Sequence, residues 1–226
     1  RRQRQMCIRD SGSLNPMAHI QKEVTFEKAS SGFMVADPLT LYDCCPTSDG
    51  ASCIVLAADH VAKKLTDTPV WVKGSGAASD RLALHDRPSI TQLQATQMAG
   101  KRAFSMAGIG AEDVDLAEVH DCFTIAEVFA TEDLGFAKRG DGGKFAREGL
   151  GRLNQGSTTI NASGGLKSKG HPLGSTGTEQ VVEVFKQLRG EVASSRQVRD
   201  AEVGLTHNVG GSGATCAVHV FGRDQR

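Results

Sequence analysis

With 226 residues, 39% of them hydrophobic and 23% charged, the chain has the composition of a globular protein with one large domain or one domain plus part of another. Its 26 basic and 26 acidic residues balance, so charge gives no reason to expect a nucleic acid or an anionic membrane as partner. No apolar run approaches the roughly 20 residues of a membrane helix, and we expect no secretory signal. The six cysteines lack metal-like spacing and do not resemble a disulfide framework. This favours a reducing compartment, and we expect a cytoplasmic protein, with a peroxisomal one as the alternative.

The first part of the chain gives weak structural signals. Residues 1–14 show no helical or strand period, and we predict that they are non-native or disordered. Ala51 to Ala57 is a short apolar run that predicts a buried strand, and a short helix is predicted over Ala58 to Leu65. The polar, proline-containing stretch Thr66 to Pro69 is interpreted as a domain junction.

Beyond this junction, strands alternate with helices, which predicts an α/β layer fold. Strands are predicted at Val70–Lys73, Val114–Val119, Ser157–Ile160, Val203–Thr206 and Ala214–Phe221. Helices are predicted from two capping boxes and one apolar stripe: Ser89 with Gln92, Thr124 with Glu127, and Val181, Val184, Phe185 and Leu188. Helix-ending glycines are expected at Gly108, Gly135 and Gly190. The stretch from Phe136 to Gly170 is predicted to be mostly loop.

The segment Asn161 to Gly177, NASGGLKSKGHPLGSTG, places His171 between a glycine and a proline. Such flanks set the backbone tightly, which suits an imidazole that must be aimed at a ligand. Histidine offers a pKa near neutrality and is therefore a candidate general base. The alternative is a turn histidine in solvent. Lys167 and Lys169 are interpreted as solvated loop charges, with phosphate binding as the alternative.

A second segment, His120-Asp121-Cys122-Phe123, lies between a strand end and a helix N-terminus. Ligands bind at such positions in open α/β sheets, and the helix end favours a thiolate by lowering the pKa of the cysteine. The alternative is that His120 caps the strand and Cys122 is a small buried filler.

The third segment runs from His207 to Gly213 and follows a predicted strand. Backbone N–H groups in such a glycine-rich turn can form an oxyanion hole, and the alternative is a tight connection between two strands. The remaining cysteines are interpreted as structural, with Cys53 and Cys216 in the core within strand patterns.

These three segments, in this order, resemble the C-terminal part of a thiolase. The sequence HDCF at His120 to Phe123 resembles the segment that the sterol-carrier-protein-type branch carries at this position. Other thiolases carry NEAF there. The GHP motif is Gly170 to Pro172. His207 to Val209 stands where most of the family has CxG, a departure shared with the sterol-carrier-type branch. The resemblance covers residues 15–221.

The resemblance implies the αβα half of a thiolase-like fold with a mixed five-stranded sheet. Residues 15–66 would be the end of the thiolase N-terminal domain, and residues 67–226 the C-terminal domain. Thiolases join or cleave acyl-CoA thioesters through an acyl-cysteine intermediate. In that chemistry His171 would activate the nucleophile, His120 would hold a water or donate at the oxyanion hole, and Cys122 would supply the acid/base thiol.

The resemblance further implies that the backbone of His207, Val209 and Gly210 offers donors to the acyl intermediate, and that Phe123 and Gly170 contact substrate. Coenzyme A enters as substrate, and no metal or other cofactor is implied. The full-length enzyme would be a homo-oligomer.

The family's nucleophilic cysteine belongs to a Gly- and Ala-rich segment that has no match in this chain. We therefore expect a fragment of an acetyl-CoA acyltransferase, inactive when isolated. Two alternatives remain open at the level of sequence. One is a thiolase-like aldolase or lyase subunit that cleaves CoA esters with a partner protein, and the other is a non-catalytic acyl-CoA-binding protein of the same fold.

Overall fold

The computed structural model describes residues 11–224 of the chain. The strands are β1 (Met34–Ala36), β2 (Leu39–Thr40), β3 (Trp71–Ser79), β4 (Leu116–Val119), β5 (Thr159–Ile160), β6 (Val203–Gly210) and β7 (Thr215–Gly222). The helices after residue 20 are α1 (Phe26–Ser30), α2 (Asp59–Leu65), α3 (Gln94–Ala107), α4 (Thr124–Asp133), α5 (Gly142–Arg147), α6 (Gly165–Lys169) and α7 (Thr176–Arg189).

Five of the strands form one mixed sheet in the order β3-β7-β6-β4-β5. Strand β4 runs parallel to β5 and β6, whereas β7 is antiparallel to both β6 and β3. The mixed five-stranded sheet expected from the family resemblance is therefore confirmed. Strands β1 and β2 form a separate antiparallel pair.

Helices cover both faces of this sheet. On one face Ala99 of α3 and Ala130 of α4 pack in a cluster with Val218 of β7. On the other face Val184 of α7 packs with Leu116 of β4. Neighbouring residues of a strand point to opposite faces, so these two apolar clusters form an αβα sandwich.

Strand β3 is longer than predicted because its glycines belong to the strand. The sequence GSGAAS suggested a break after Lys73, yet the strand continues to Ser79. A Cβ atom on Gly76 would lie 2.0 Å from the carbonyl oxygen of Ala99, and one on Gly74 would lie 2.1 Å from that of Ala103. The glycines therefore allow α3 to approach the sheet closely.

The predicted buried strand at Ala51–Ala57 is wrong. The segment has no regular secondary structure, and its apolar side chains are exposed, with Val55 at 87% and Leu56 at 77%. Within residues 11–224 no strand lies beside it to pair with or to cover it. Cys53, expected in the core, is consequently exposed, whereas Cys216 is buried as predicted.

Neither predicted capping box forms. Helix α3 begins at Gln94, where Asp133 accepts a hydrogen bond of 2.7 Å from the Leu93 N–H. Helix α4 does begin at Thr124, but the Thr124 hydroxyl donates to Asp43 Oδ1 at 2.6 Å instead of capping its own helix. Carboxylates distant in sequence therefore bind both helix starts, Asp133 at the Leu93 N–H and Asp43 at the Thr124 hydroxyl.

The other helix predictions largely hold. Gly108 and Gly190 follow α3 and α7 in left-handed conformation, as expected for helix-ending glycines. The stretch from Phe136 to Gly170 is less irregular than predicted, because it contains α5 and α6. No helix within residues 11–224 has the length and apolar character needed to span a bilayer.

The predicted division into domains stays a prediction. Residues 1–10, most of the segment expected to be non-native or disordered, lie outside the described residues. Asn15 is buried, and its side-chain amide donates to the Ser163 carbonyl at 2.9 Å.

Candidate functional site

The two predicted catalytic histidines meet at the carboxyl end of β4. His120 directly follows this buried strand, and His171 follows α6 in the next connection. Their ring centroids are 4.9 Å apart and the rings are nearly perpendicular, with an interplanar angle of 88°. Within residues 11–224, no three His, Cys, Asp or Glu side chains are grouped so that they could hold a metal ion.

His171 is held by the turn that the GHP motif forms. Gly170 has a φ of 113°, and a Cβ atom there would lie 2.6 Å from the hydroxyl of Ser48, so the position requires glycine. The ring Nδ1 lies 2.7 Å from the Thr176 hydroxyl at the start of α7. Burial, with a smaller contribution from Lys169, lowers the pKa of His171 below its ordinary value. The imidazole is therefore uncharged at neutral pH and able to accept a proton.

His120 is buried more deeply. Burial, followed by the neighbouring His171 and Lys169, lowers the pKa of His120 to about 4. Its backbone N–H donates to Nδ1 of His207 at 3.3 Å, and its own ring Nδ1 lies 3.3 Å from the Asn208 side-chain nitrogen. His120 is thus an uncharged ring with a fixed orientation.

Two polar residues behind His120 were not identified from the sequence. Asn208 donates from Nδ2 to Gln180 Oε1 at 3.1 Å, and Gln180 is fully buried on α7. A signal was present, because Gln180 lies four residues before Val184 and so on the inward-facing stripe of the helix. A polar side chain on such a stripe must find a partner in the interior.

His207 belongs to the core. It is fully buried, its Nε2 lies 3.0 Å from the Thr96 hydroxyl, and that hydroxyl donates to Cys216 Sγ at 3.6 Å. Burial, with a smaller contribution from His120, lowers the pKa of His207 to about 3. As an uncharged ring, the His207 side chain accepts the hydrogen bond from the His120 backbone N–H.

The predicted turn after Thr206 is wrong, because His207 to Gly210 continue β6 and the turn is Gly211–Gly213. These residues pair with β7 over their whole length, while the ladder with β4 ends at the pair of Val119 and His207. The side of Val209 and Gly210 that faces away from β7 therefore has no strand partner among residues 11–224. The predicted role of this backbone as a donor stays a prediction.

Cys122 is not a thiolate, contrary to the expectation from the helix N-terminus. Burial, followed by the nearby Asp121 and Cys45, raises the pKa of the Cys122 thiol to about 12. Cys45, which was interpreted as structural, lies against this segment and donates its N–H to the Cys122 carbonyl at 2.9 Å. Cys122 is consequently a protonated thiol and a potential proton donor.

Lys167 and Lys169 are not the solvated loop charges that were expected. The Lys167 side chain is 1% exposed, and its ammonium lies 3.5 Å from Asp121 Oδ2 and 3.4 Å from Glu127 Oε2. Lys169 pairs with Glu179 at 3.0 Å. The ion pair of Lys167 with Asp121 therefore connects α6, the helix before GHP, to the HDCF segment.

Of the two predicted substrate contacts, Phe123 is 40% exposed beside this site and Gly170 forms the turn before His171. Both positions border the pair of histidines. Their contact with substrate stays a prediction.

Comparison with known proteins matches residues 76–223 to the family described as "Thiolase C-terminal domain-like". The chain is 51% identical over 214 residues to an acetyl-CoA acetyltransferase of Methanothermobacter thermautotrophicus, covering 95% of this chain and 55% of that protein. It is 38% identical over 205 residues to sterol carrier protein 2 of Bos taurus, covering 88% of this chain and 37% of that protein.

Among solved structures, the "Ltp2-ChsH2(DUF35) aldolase" superposes with a TM-score of 0.86 over 99% of this chain and 58% of that chain, at 23% identity. At that identity the likeness shows the fold alone. The chain spans about half the length, or less, of the curated relatives it matches. The ordered motifs, the sheet topology and the family match agree, and this chain belongs to the thiolase family, of which it carries the C-terminal domain.

Proposed function

We propose that the chain is the part of an acyl-CoA thiolase that supplies the general base, the hydrogen-bond donor to the enolate and the proton donor. Such an enzyme exchanges acyl groups between coenzyme A thioesters. The observation that carries this proposal is the pair of His120 and His171, uncharged and 4.9 Å apart between ring centroids. The acyl-CoA substrate and a homo-oligomeric state of the intact enzyme are part of the proposal.

In the cleavage direction, a cysteine supplied by a part of the enzyme outside this chain attacks the ketone carbon of a 3-oxoacyl-CoA. His171 takes the proton of that thiol as the general base. The carbon–carbon bond then breaks, leaving the shortened acyl group on the cysteine and releasing the enolate of acetyl-CoA. His120 donates a hydrogen bond to the enolate oxygen, which gains negative charge in this step.

Cys122 completes the step by protonating the enolate carbon, which yields acetyl-CoA. A thiol with a pKa of about 12 is protonated at neutral pH and suits this role better than a thiolate. In the condensation direction the same sulfur, once ionised, would remove the proton from acetyl-CoA. In the cleavage direction, coenzyme A then accepts the acyl group from the nucleophilic cysteine. The proton of its thiol returns to the Cys122 thiolate, and His171 gives its proton back to the released cysteine.

An experiment with a chimera tests this proposal. The part of the Methanothermobacter enzyme that precedes the matched region is fused before Asn15 of this chain, since 51% identity makes the two halves compatible. We expect the chimera to cleave acetoacetyl-CoA with coenzyme A and the isolated chain to show no cleavage. A chimera that binds acetyl-CoA but breaks no bond would support a binding protein instead, and one that cleaves only 3-hydroxyacyl-CoA would support a lyase.

The reverse exchange keeps the test decisive if the chimera does not fold. Residues 116–210 of this chain replace the corresponding residues in the otherwise intact relative, which keeps its own nucleophile. Retained thiolysis, lost again on His171→Asn, would support the proposal. A folded, inactive exchange protein would contradict it.

A further inference from the structure

The hydrogen bonds of Gln180 determine the orientation of its amide. This side chain is fully buried, and its Nε2 donates to two backbone carbonyls, of Glu118 at 3.3 Å and of His207 at 3.0 Å. An amide nitrogen has two hydrogens, so both are used. The Oε1 atom must therefore point the other way, as an acceptor.

The partner of that acceptor is Asn208, whose Nδ2 lies 3.1 Å from Gln180 Oε1. Only a nitrogen can donate to this oxygen, so the orientation of the Asn208 amide is fixed as well. Its second hydrogen points to Nδ1 of His120 at 3.3 Å. Nδ1 of His120 is consequently an acceptor, and in an uncharged ring the proton must be on Nε2.

His171 has the opposite arrangement. The Thr176 hydroxyl donates its one hydrogen to the Pro172 carbonyl at 3.0 Å, and it therefore accepts from His171 Nδ1 at 2.7 Å. The Nε2 atom of His171 is left with a lone pair. The two adjacent rings thus differ at Nε2, one as donor and the other as acceptor.

We propose that Gln180 and Asn208 are positioning residues that hold His120 in the tautomer protonated on Nε2. A ring protonated on Nδ1 would present a lone pair to a developing oxyanion and repel it, so the tautomer decides whether His120 can stabilise that charge. The benefit for catalysis rests on the proposed thiolase function. The tautomer itself does not.

The test is nitrogen NMR of the uncharged imidazoles in the full 226-residue chain, labelled with ¹⁵N at histidine. The His120 signals are identified by their loss in His120→Ala. We expect Nε2 protonated and Nδ1 unprotonated in the unaltered chain. In Asn208→Asp a carboxylate faces Nδ1, and we expect the proton to move to Nδ1 or to occupy both nitrogens.

Gln180→Met removes the anchor and should give a mixture of the two tautomers. The matched control is Gln187→Met on the same helix, since Gln187 is equally buried and hydrogen-bonded but binds Glu183, Arg196 and Val198 instead. We expect the control to leave the His120 signals unchanged. If Gln180→Met does not fold, the partly exposed Asn208 still provides the decisive variant.

The inference is overturned if His120 carries its proton on Nδ1 in the unaltered chain, or if Asn208→Asp leaves the tautomer as it was. In the active chimera, Asn208→Asp should lower kcat by about 10²-fold with little change in KM, as for loss of one oxyanion donor. A folded but inactive exchange protein together with the expected NMR result would reject the proposed function and leave this inference intact.

Discussion

Replacing Lys167, the buried lysine of α6 that pairs with Asp121, should destabilise the fold strongly. The variant Lys167→Met nearly keeps the side-chain volume but removes the ammonium that pairs with Asp121. Among the ion pairs of residues 11–224, no other cation lies within 4 Å of Asp121 Oδ2. At 3.5 Å and an effective dielectric of about 20, each of the two ion contacts has an attraction of about 5 kcal/mol before desolvation. Removing one partner of a buried ion pair typically costs about 3–5 kcal/mol, because the remaining charge is left uncompensated.

For a chain of this length, that loss corresponds to a fall in Tm of about 6–20 °C, measured by calorimetry at pH 7. The matched control is Lys144→Met, which breaks a surface pair with Glu148, four residues along the chain, whose lysine side chain is 57% exposed. Such a helix pair contributes about 0.3–0.5 kcal/mol, so the control should change Tm by no more than about 2 °C.

The pH dependence provides the sharper part of this prediction. Burial already raises the pKa of Asp121 in the fold, and Lys167 opposes that rise. Without Lys167 the folded-state pKa rises further above the unfolded value, so the folded variant binds a proton more readily than the unfolded one as the pH falls. The Tm deficit of the variant relative to the unaltered chain should therefore shrink from pH 7 to pH 5. A deficit below about 2 °C at pH 7, or one that is constant with pH, would refute this reasoning.

Two further predictions concern the base and the sheet. Burial keeps the pKa of His171 below its ordinary value of 6.5. Thiolysis by the chimera should therefore lose rate only as the pH drops below that value. A loss between pH 8 and pH 7 would contradict the assignment of the base. Gly76→Ala places a Cβ 2.0 Å from the Ala99 carbonyl oxygen, and we expect it to lower the free energy of unfolding by about 1–3 kcal/mol in urea titrations. Gly143→Ala, with no atom within 4 Å of the new Cβ, should leave the free energy of unfolding equal or higher. Equal midpoints for the two variants would be inconsistent with close packing of α3 on β3.

Local signals in the sequence were sufficient for the longer helices and for the two histidines of the site. The apolar stripe from Val181 to Leu188 and the glycine at Gly190 depend only on neighbouring residues, and both were predicted correctly. His120 and His171 were found because strand ends and glycine-flanked turns have recognisable residue patterns. Their separation of 4.9 Å could not be predicted, since it depends on the parallel pairing of β4 with β5.

The predictions that failed concern residues whose partners are far away in sequence. Lys167 was interpreted as solvated because lysine is rarely buried, and only Asp121 and Glu127 from another connection make its burial favourable. Likewise, Asp133 caps α3 from 40 residues away, so the local serine signal was misleading. Gly76 looked like an interruption because the helix that requires it is formed by later residues.

The core position of His207 has a consequence for the whole protein in acid. The folded chain keeps His207 and His120 uncharged down to pH values of about 3 and 4, whereas the unfolded chain protonates both near pH 6.5. Unfolding therefore takes up protons between these limits, and at pH 5 each buried imidazole weakens the fold by about 2 kcal/mol. The exclusion of protons that keeps these two rings neutral therefore lowers stability in acid, while the buried Glu118, whose pKa burial raises to about 7, acts in the opposite direction.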